Sequence, residues 1–351
     1  MEQKLAFIGF GVVGQGLAEI LRDKKEELRK NEGFQASIVA ISDLMKGSIY
    51  HPNGLDIDTV LRVLKDTGNL ENYPYVPGLK TGMDSFKTIR DTNADTIVEV
   101  SFTDVKTGQP AIDHCKTAFK CGKNVVMTNK GPVALAYREL AKMAEENGVF
   151  WGFEGTVMSG TPALRLPSAA LAGNDITEIR GILNGTTNYI LTKMEEEGVS
   201  YEDALQQAQR LGYAENDPTS DVEGYDARYK IAILANYVMK TTLSVQDVSC
   251  KGISEITLKD IEDAKAEGKR WKLLAKAGKK DGKVEASISP VKVDLTDPLA
   301  SISGATNAIT YECDLLGTVT LSGPGAGKVE TGYALLIDLL SIHREKGLFK
   351  T

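Results

Sequence analysis

The chain has 351 residues, 42% of them hydrophobic and 25% charged, too long for one typical domain and too short for three. A formal net charge of −7 with both signs mixed along the chain argues against a nucleic-acid partner, which requires a concentrated Lys/Arg face. A glycine ends the first apolar run early and no later run approaches about eighteen apolar residues, so neither a signal peptide nor a membrane span is expected.

The pattern in chain order opens with a buried strand, Leu5 to Ile8, a glycine loop, and an amphipathic helix from Val13 to Lys30. A second apolar run, Ser37 to Ile41, closes on Ser42 and Asp43 and completes a β-α-β unit. Residues 44–92 carry Pro52, Pro74, Pro77 and several glycines around short helical pieces such as Asp58 to Lys65, and read as a lobe of loops inserted into the sheet. Alternation then resumes with strand Thr96 to Val100, helix Pro110 to Cys121, strand Asn124 to Met127 and helix Tyr137 to Asn147. That rhythm predicts a parallel sheet.

After Trp151 the texture changes to glycine, serine, threonine and proline, and a domain boundary is expected there. Helices follow over Thr187 to Glu197 and Ser200 to Leu211, and Val284 to Thr320 alternates apolar and polar residues like half-buried antiparallel strands. The last thirty or so residues hold a glycine-rich loop, Gly323 to Gly327, and a helix, Thr331 to Ile342, that returns to the first domain. The expected fold is α/β: a Rossmann-type dinucleotide-binding domain over 1–151 and about 321–351, and an α+β substrate-binding and dimerisation domain over 152–320.

Gly9-Phe-Gly11-Val12-Val13-Gly14 lies between a predicted strand and a predicted helix, the context in which a G-x-G-x-x-G run holds a pyrophosphate on backbone N–H groups. Asp43, at the end of the second strand, suits a ribose hydroxyl and NAD, while Lys46 and Ser48 suit a 2′-phosphate and NADP. The residues leave the two cofactors open, with NAD ahead.

Reducing an aldehyde with a nicotinamide requires a donor or positive charge beside the oxygen that becomes an alkoxide. None of the three histidines, His51, His114 and His343, sits in a glycine- or acid-rich loop, which leaves lysine. Lys130 follows the strand Asn124 to Met127, at the carboxyl end where open α/β sheets bind ligands. A second concentration of charge runs from Gly212 to Lys230, where Glu215, Asp217, Asp221 and Asp226 precede Lys230. Asp226 and Lys230 are four apart on a helix and share a face; taken alone, such a pair is usually a solvated surface pair.

The segment Gly212 to Lys230 resembles the signature of the homoserine dehydrogenases, in which G-Y-x-E-x-D-P-x-x-D leads to G-x-D-x-x-x-K. The resemblance extends in order through Gly9 to Gly14, Thr128 to Pro132, Glu154 to Val157, Asn184 to Asn188 and Gly323 to Gly327, covering essentially the whole chain. It implies interconversion of L-homoserine and L-aspartate 4-semialdehyde with NAD or NADP, as in threonine and methionine biosynthesis. Lys230 and Lys130 match the two active-site lysines, Lys130 also contacting the cofactor, and Asp226 matches the carboxylate that orients Lys230. Glu215, Asp221 and the loop of Asn184, Gly185 and Thr186 are implied substrate contacts, and Gly325 a nicotinamide contact. Glu154, Val157, Ser159 and Thr161 match a sodium site built mostly from backbone carbonyls. The resemblance also implies a homodimer formed through the second domain.

Many relatives continue into an amino-acid-sensing domain or are fused to aspartate kinase; with the chain ending at Thr351, threonine feedback through such a domain is not expected. Cys115, Cys121, Cys250 and Cys313 show no C-x-x-C spacing, which suits a reducing cytoplasm, and nothing around Cys115 or Cys121 suggests the acylated cysteine of an aspartate-semialdehyde dehydrogenase. Two other readings remain: another amino-acid or semialdehyde dehydrogenase of the same build, and a non-catalytic NAD(P)-binding redox sensor. The sensor would need only the first glycine loop, not both lysines with their carboxylates.

Overall fold

The computed structural model describes residues 2–344; Met1 and residues 345–351, which the expected first domain includes, lie outside the described residues. The chain forms two compact units, one of residues up to Gly160 together with those from Gly327 onward, the other Thr161–Ala326. The first crossing falls after Trp151 because Phe153 and Glu154 are buried in the first unit, where the Glu154 N–H donates to Asp338 at 3.1 Å.

In the first unit, Gln3–Ile8 (β1) leads through the glycine loop into Val12–Asp23 (α1). Lys24, at φ −101° and ψ 12°, breaks the path, and Lys25–Glu32 (α2) follows, so the single helix expected over Val13–Lys30 is two. Only Leu28 of α2 is buried, leaving no continuous apolar stripe to hold the chain straight past Asp23. Then come Ala36–Asp43 (β2), Gly47–Tyr50 (β3), Ile57–Thr67 (α3), Lys80–Thr81 (β4), Ser85–Asp91 (α4), Thr96–Glu99 (β5), Ala111–Lys120 (α5), Asn124–Met127 (β6), Lys130–Glu146 (α6) and Trp151–Gly152 (β7).

These strands make one sheet in the order β4-β3-β2-β1-β5-β6-β7, parallel from β2 to β7. The order reverses between β1 and β5, the switch point at which such sheets bind ligands, and the glycine loop leaves β1 there. The fully parallel sheet is corrected: β3 and β4 add an antiparallel edge. They belong to the stretch 44–92 expected as loops, and strands of four and two residues are too short to show a period of two. Leu5, Phe7, Leu17, Phe34 and Ile41 form the core with Leu335 and Leu339, each contributing roughly 1.5–3 kcal/mol on burial.

The second unit begins with Arg165–Ala169 (α7), Ile176–Ile182 (β8), Gly185–Glu197 (α8), Tyr201–Arg210 (α9), Thr219–Val222 (α10) and Tyr225–Val238 (α11). Ser249–Cys250 (β9), Leu258–Ala266 (α12), Lys269–Lys280 (β10), Lys283–Asp294 (β11), Thr306–Cys313 (β12) and Gly317–Pro324 (β13) complete it. Its sheet runs β13-β12-β8-β10-β11-β9 and is antiparallel except where β9 joins β11, with α8 and α11 packed on it. The chain then re-enters the first unit as Lys328–His343 (α13). There α13 crosses α1 at two glycines: a Cβ on Gly16 would lie 2.4 Å from the Lys328 carbonyl, and one on Gly332 2.9 Å from the backbone of Gly16 and Leu17.

Candidate functional site

The glycine loop has the shape of an anion cradle. Gly9 adopts φ +88°, and a Cβ there would fall 2.5 Å from the Val100 carbonyl, so no side chain fits between the loop and β5. Gly11 stands at the N-cap of α1 in extended conformation without a side-chain cap, leaving the first N–H groups of a twelve-residue helix for an anion, with Val12 exposed and Val13 half-buried beside them. Gly14 is buried against Gly9 and Val100, where it lets α1 approach the strand closely.

Asp43 is built into this loop. Its Oδ2 accepts from the Phe10 N–H at 2.7 Å, and its Oδ1 from the Met45 and Lys46 N–H groups, both at 3.0 Å. Burial works against its charge, but the Phe10, Met45 and Lys46 N–H groups and the Lys46 ammonium outweigh it and hold the carboxyl below its usual range. The Lys46 ammonium is the most distant partner, at 3.4 Å. Ser48 is buried, and its hydroxyl accepts from the Met83 N–H at 2.6 Å.

Lys130 is not in a loop after β6 but the first residue of α6, with Asn129 at the N-cap and Pro132 in the first turn, where proline is tolerated. A cation at the positive end of a helix is unfavourable by roughly 0.3–1 kcal/mol, so helix stability does not account for a lysine here.

In the second unit the charged segment closes into a cluster. Lys230, on α11, is buried, and its Nζ donates to Asp226 Oδ2 at 2.6 Å and to the Leu183 carbonyl at 2.7 Å. The i,i+4 pair is therefore no surface pair. Asn184 joins it from the end of β8. Its Oδ1 accepts from the Thr187 N–H at 2.9 Å and caps α8, while its Nδ2 donates to Asp221 at 2.7 Å and Asp226 at 3.1 Å. Burial pushes the Asp221 carboxyl above its usual range and the Asp226 charge adds to this, against the Asn184 amide and the Lys230 ammonium. Gly185 opens α8, and the Thr186 hydroxyl donates to the Tyr213 carbonyl at 2.6 Å, tying the α8 start to the charged loop. A buried lysine, two carboxylates of which one is reluctant to ionise, and an amide make a site that can hold and move a proton.

Comparison with known proteins agrees with this geometry. A homoserine dehydrogenase family model matches residues 162–340. An NAD(+)-dependent homoserine dehydrogenase of Pseudomonas canavaninivorans is 46% identical over 98% of this chain and 97% of its own length. The chain belongs to the homoserine dehydrogenase family. Its fold matches the crystal structure of a putative homoserine dehydrogenase from Archaeoglobus fulgidus with a TM-score of 0.87 at 37% identity, covering 97% of this chain and 99% of that one. It also matches a hyperthermophilic archaeal homoserine dehydrogenase in complex with NADPH, with a TM-score of 0.82 at 30% identity and 98% coverage of both chains. The rival readings, a different dehydrogenase or a non-catalytic sensor, are not favoured by these matches.

Other positions expected from the homoserine dehydrogenase resemblance are more dispersed. Glu215 is exposed on the loop before α10, where its backbone carbonyl accepts from Gln209 at 3.1 Å. Gly325 lies over buried Asn307, whose amide would be 2.2 Å from a Cβ. Glu154, Val157 and Ser159 are buried in the first unit; Met158 and Ser159 both hold φ 55°, a rare pair of left-handed non-glycine residues. Ser159 meets the Thr331 hydroxyl at 3.0 Å. Thr161 falls in the second unit, its hydroxyl donating to the Pro324 carbonyl at 3.0 Å. Asn184's double role as helix cap and carboxylate clamp shows in the sequence only as a cap residue before a helix.

Proposed function

We propose that the chain interconverts L-homoserine and L-aspartate 4-semialdehyde, with NAD as its preferred cofactor. The observation that carries the reading is the buried Lys230–Asp226 pair clamped by Asn184. The glycine cradle and the uncapped start of α1 suit the cofactor's pyrophosphate, and an ionised Asp43 suits ribose hydroxyls, with the weakly held Lys46 ammonium the partner a hydroxyl would displace. The same carboxylate repels a 2′-phosphate, which favours NAD. The nicotinamide, when bound, accepts or supplies the hydride at C4 of the substrate.

The residues of the chain handle charge and protons. As the neutral amine, Lys230 takes the hydroxyl proton of homoserine in one direction, and as the ammonium it returns that proton to the aldehyde oxygen in the other; Asp226 and the Leu183 carbonyl fix the direction of its Nζ. Lys130 contributes a second positive charge to the reaction. Asp221 and Glu215 accept from the substrate ammonium, and Asn184, Gly185 and Thr186 seat the substrate beside them. Glu154 with the carbonyls of Val157 and Ser159 would hold a sodium ion as a structural cation, a reading supported by the all-oxygen donor set and the left-handed backbone at Met158 and Ser159. The protein acts in the cytoplasm as a homodimer joined through the second unit. Among the described residues no helix is long and apolar enough to cross a membrane.

Lys230→Ala is the test. It is expected to lower kcat by about a hundredfold to ten-thousandfold with cofactor affinity retained, and undiminished kcat in a folded variant refutes the role.

A further inference from the structure

Glu99, the last residue of β5, is fully buried, and the reaction above makes no use of it. Its carboxylate gathers three donors. Oε1 accepts from the Ser101 hydroxyl and from Nδ1 of His114 at 3.1 Å, and Oε2 accepts from the Asn129 side-chain amide. His114, buried on α5, completes the set through Nε2 and the Ser85 hydroxyl at 2.9 Å. A buried carboxylate is tolerable only when its partners are all in place, since leaving one unmade costs about 1–3 kcal/mol or more.

Asn129 is the N-cap of α6, immediately before Lys130. An asparagine there ordinarily turns its side-chain oxygen to the N–H groups of the first turn, worth about 1 kcal/mol, yet Asn129 makes no such bond. Its amide instead donates to Glu99 and to the Ser101 carbonyl at 3.0 Å. Ser101 lies against the cofactor loop, where a Cβ on Gly9 would fall 2.6 Å from its N and Cα. The opening segment of α6, residues 130–135, is also set apart from the rest of the helix, because Ala136, at φ −136° and ψ 22°, breaks the helical path. Its direction is therefore not inherited from the body of α6 and must be fixed from outside.

We propose that Glu99 is a positioning residue for Lys130, acting through Asn129, with His114 and Ser101 holding the carboxylate in place. One buried carboxyl group thereby sets the start of the Lys130 helix relative to the backbone beside Gly9. This rests on the reading that Lys130 serves the reaction, and it forgoes a helix cap to fix geometry.

The test compares Asn129→Ser, Glu99→Gln, their double variant and Lys130→Ala in the full chain. Readouts are Tm, NADH affinity by fluorescence, and kcat and KM for homoserine. Serine is a good N-cap residue but lacks the amide, so a purely structural role for Asn129 at the helix end predicts unchanged kcat. Positioning predicts a folded Asn129→Ser protein with kcat down about tenfold to a hundredfold, KM little changed, and a double variant no worse than the worse single. Wild-type kcat in Asn129→Ser beside an inactive Lys130→Ala overturns the positioning role. Full kcat in Lys130→Ala instead overturns the reading of Lys130 itself. If Glu99→Gln fails to fold, Asn129→Ser alone decides.

Discussion

Asp221 is held above its usual pKa chiefly by burial, so at neutral pH its ionised form is disfavoured by the fold. The sign follows from linkage: a raised carboxyl favours the folded state below its unfolded pKa, and that contribution is lost as pH rises through the folded value. Asp221→Asn is therefore expected to leave Tm unchanged or raise it by a few degrees while raising KM for homoserine about tenfold or more, measured by thermal melts beside steady-state kinetics. A fall in Tm with KM unchanged would make Asp221 structural. Asp43 has the opposite sign. Its lowered pKa contributes stability above the unfolded carboxyl value of about 3.9 that is lost as pH falls through the folded one, so NADH affinity should collapse only below about pH 4. A fluorescence titration across that range checks it. The i,i+4 spacing of Asp226 and Lys230 was legible in the sequence. Their burial was not, because it depends on Asn184 and the Leu183 carbonyl, which only the fold of β8 and α8 brings to α11.

The first unit was legible where the pattern is strong: β6 over Asn124–Met127 and the glycine loop between β1 and α1 fall where their residues place them. The misses have physical causes. β10 was overlooked because Lys269–Lys280 is rich in lysine and hides its apolar positions, yet Asp281-Gly282 between β10 and β11 is a two-residue hairpin turn, with both residues at positive φ, 48° and 76°. Gly282→Ala is expected to destabilise the second unit by about 1 kcal/mol or more with kcat preserved, read by denaturant unfolding. At the α1–α13 crossing, Gly332→Val forces a side chain into the backbone of Gly16 and Leu17 and is expected to cost about 1–3 kcal/mol, as overpacking does. A protein of unchanged stability would mean that α13 can shift freely.

For the whole molecule, the proposed chemistry draws on both units: the glycine loop and Lys130 belong to the first, the clamped lysine and its carboxylates to the second. The sequence showed two domains by a change of texture, but not where the chain passes between the units, because Phe153 to Gly160 are glycine-rich in sequence and core-packed in structure. The proposed homodimer is tested by light scattering across dilution, where a monomeric mass throughout would contradict it. The central claim is tested most directly by following the reduced-nicotinamide absorbance of the purified protein with L-homoserine and NAD or NADP in parallel. Homoserine-dependent reduction, faster with NAD and lost in Lys230→Ala, is the predicted result. Tight cofactor binding with no turnover of homoserine under either cofactor would contradict it.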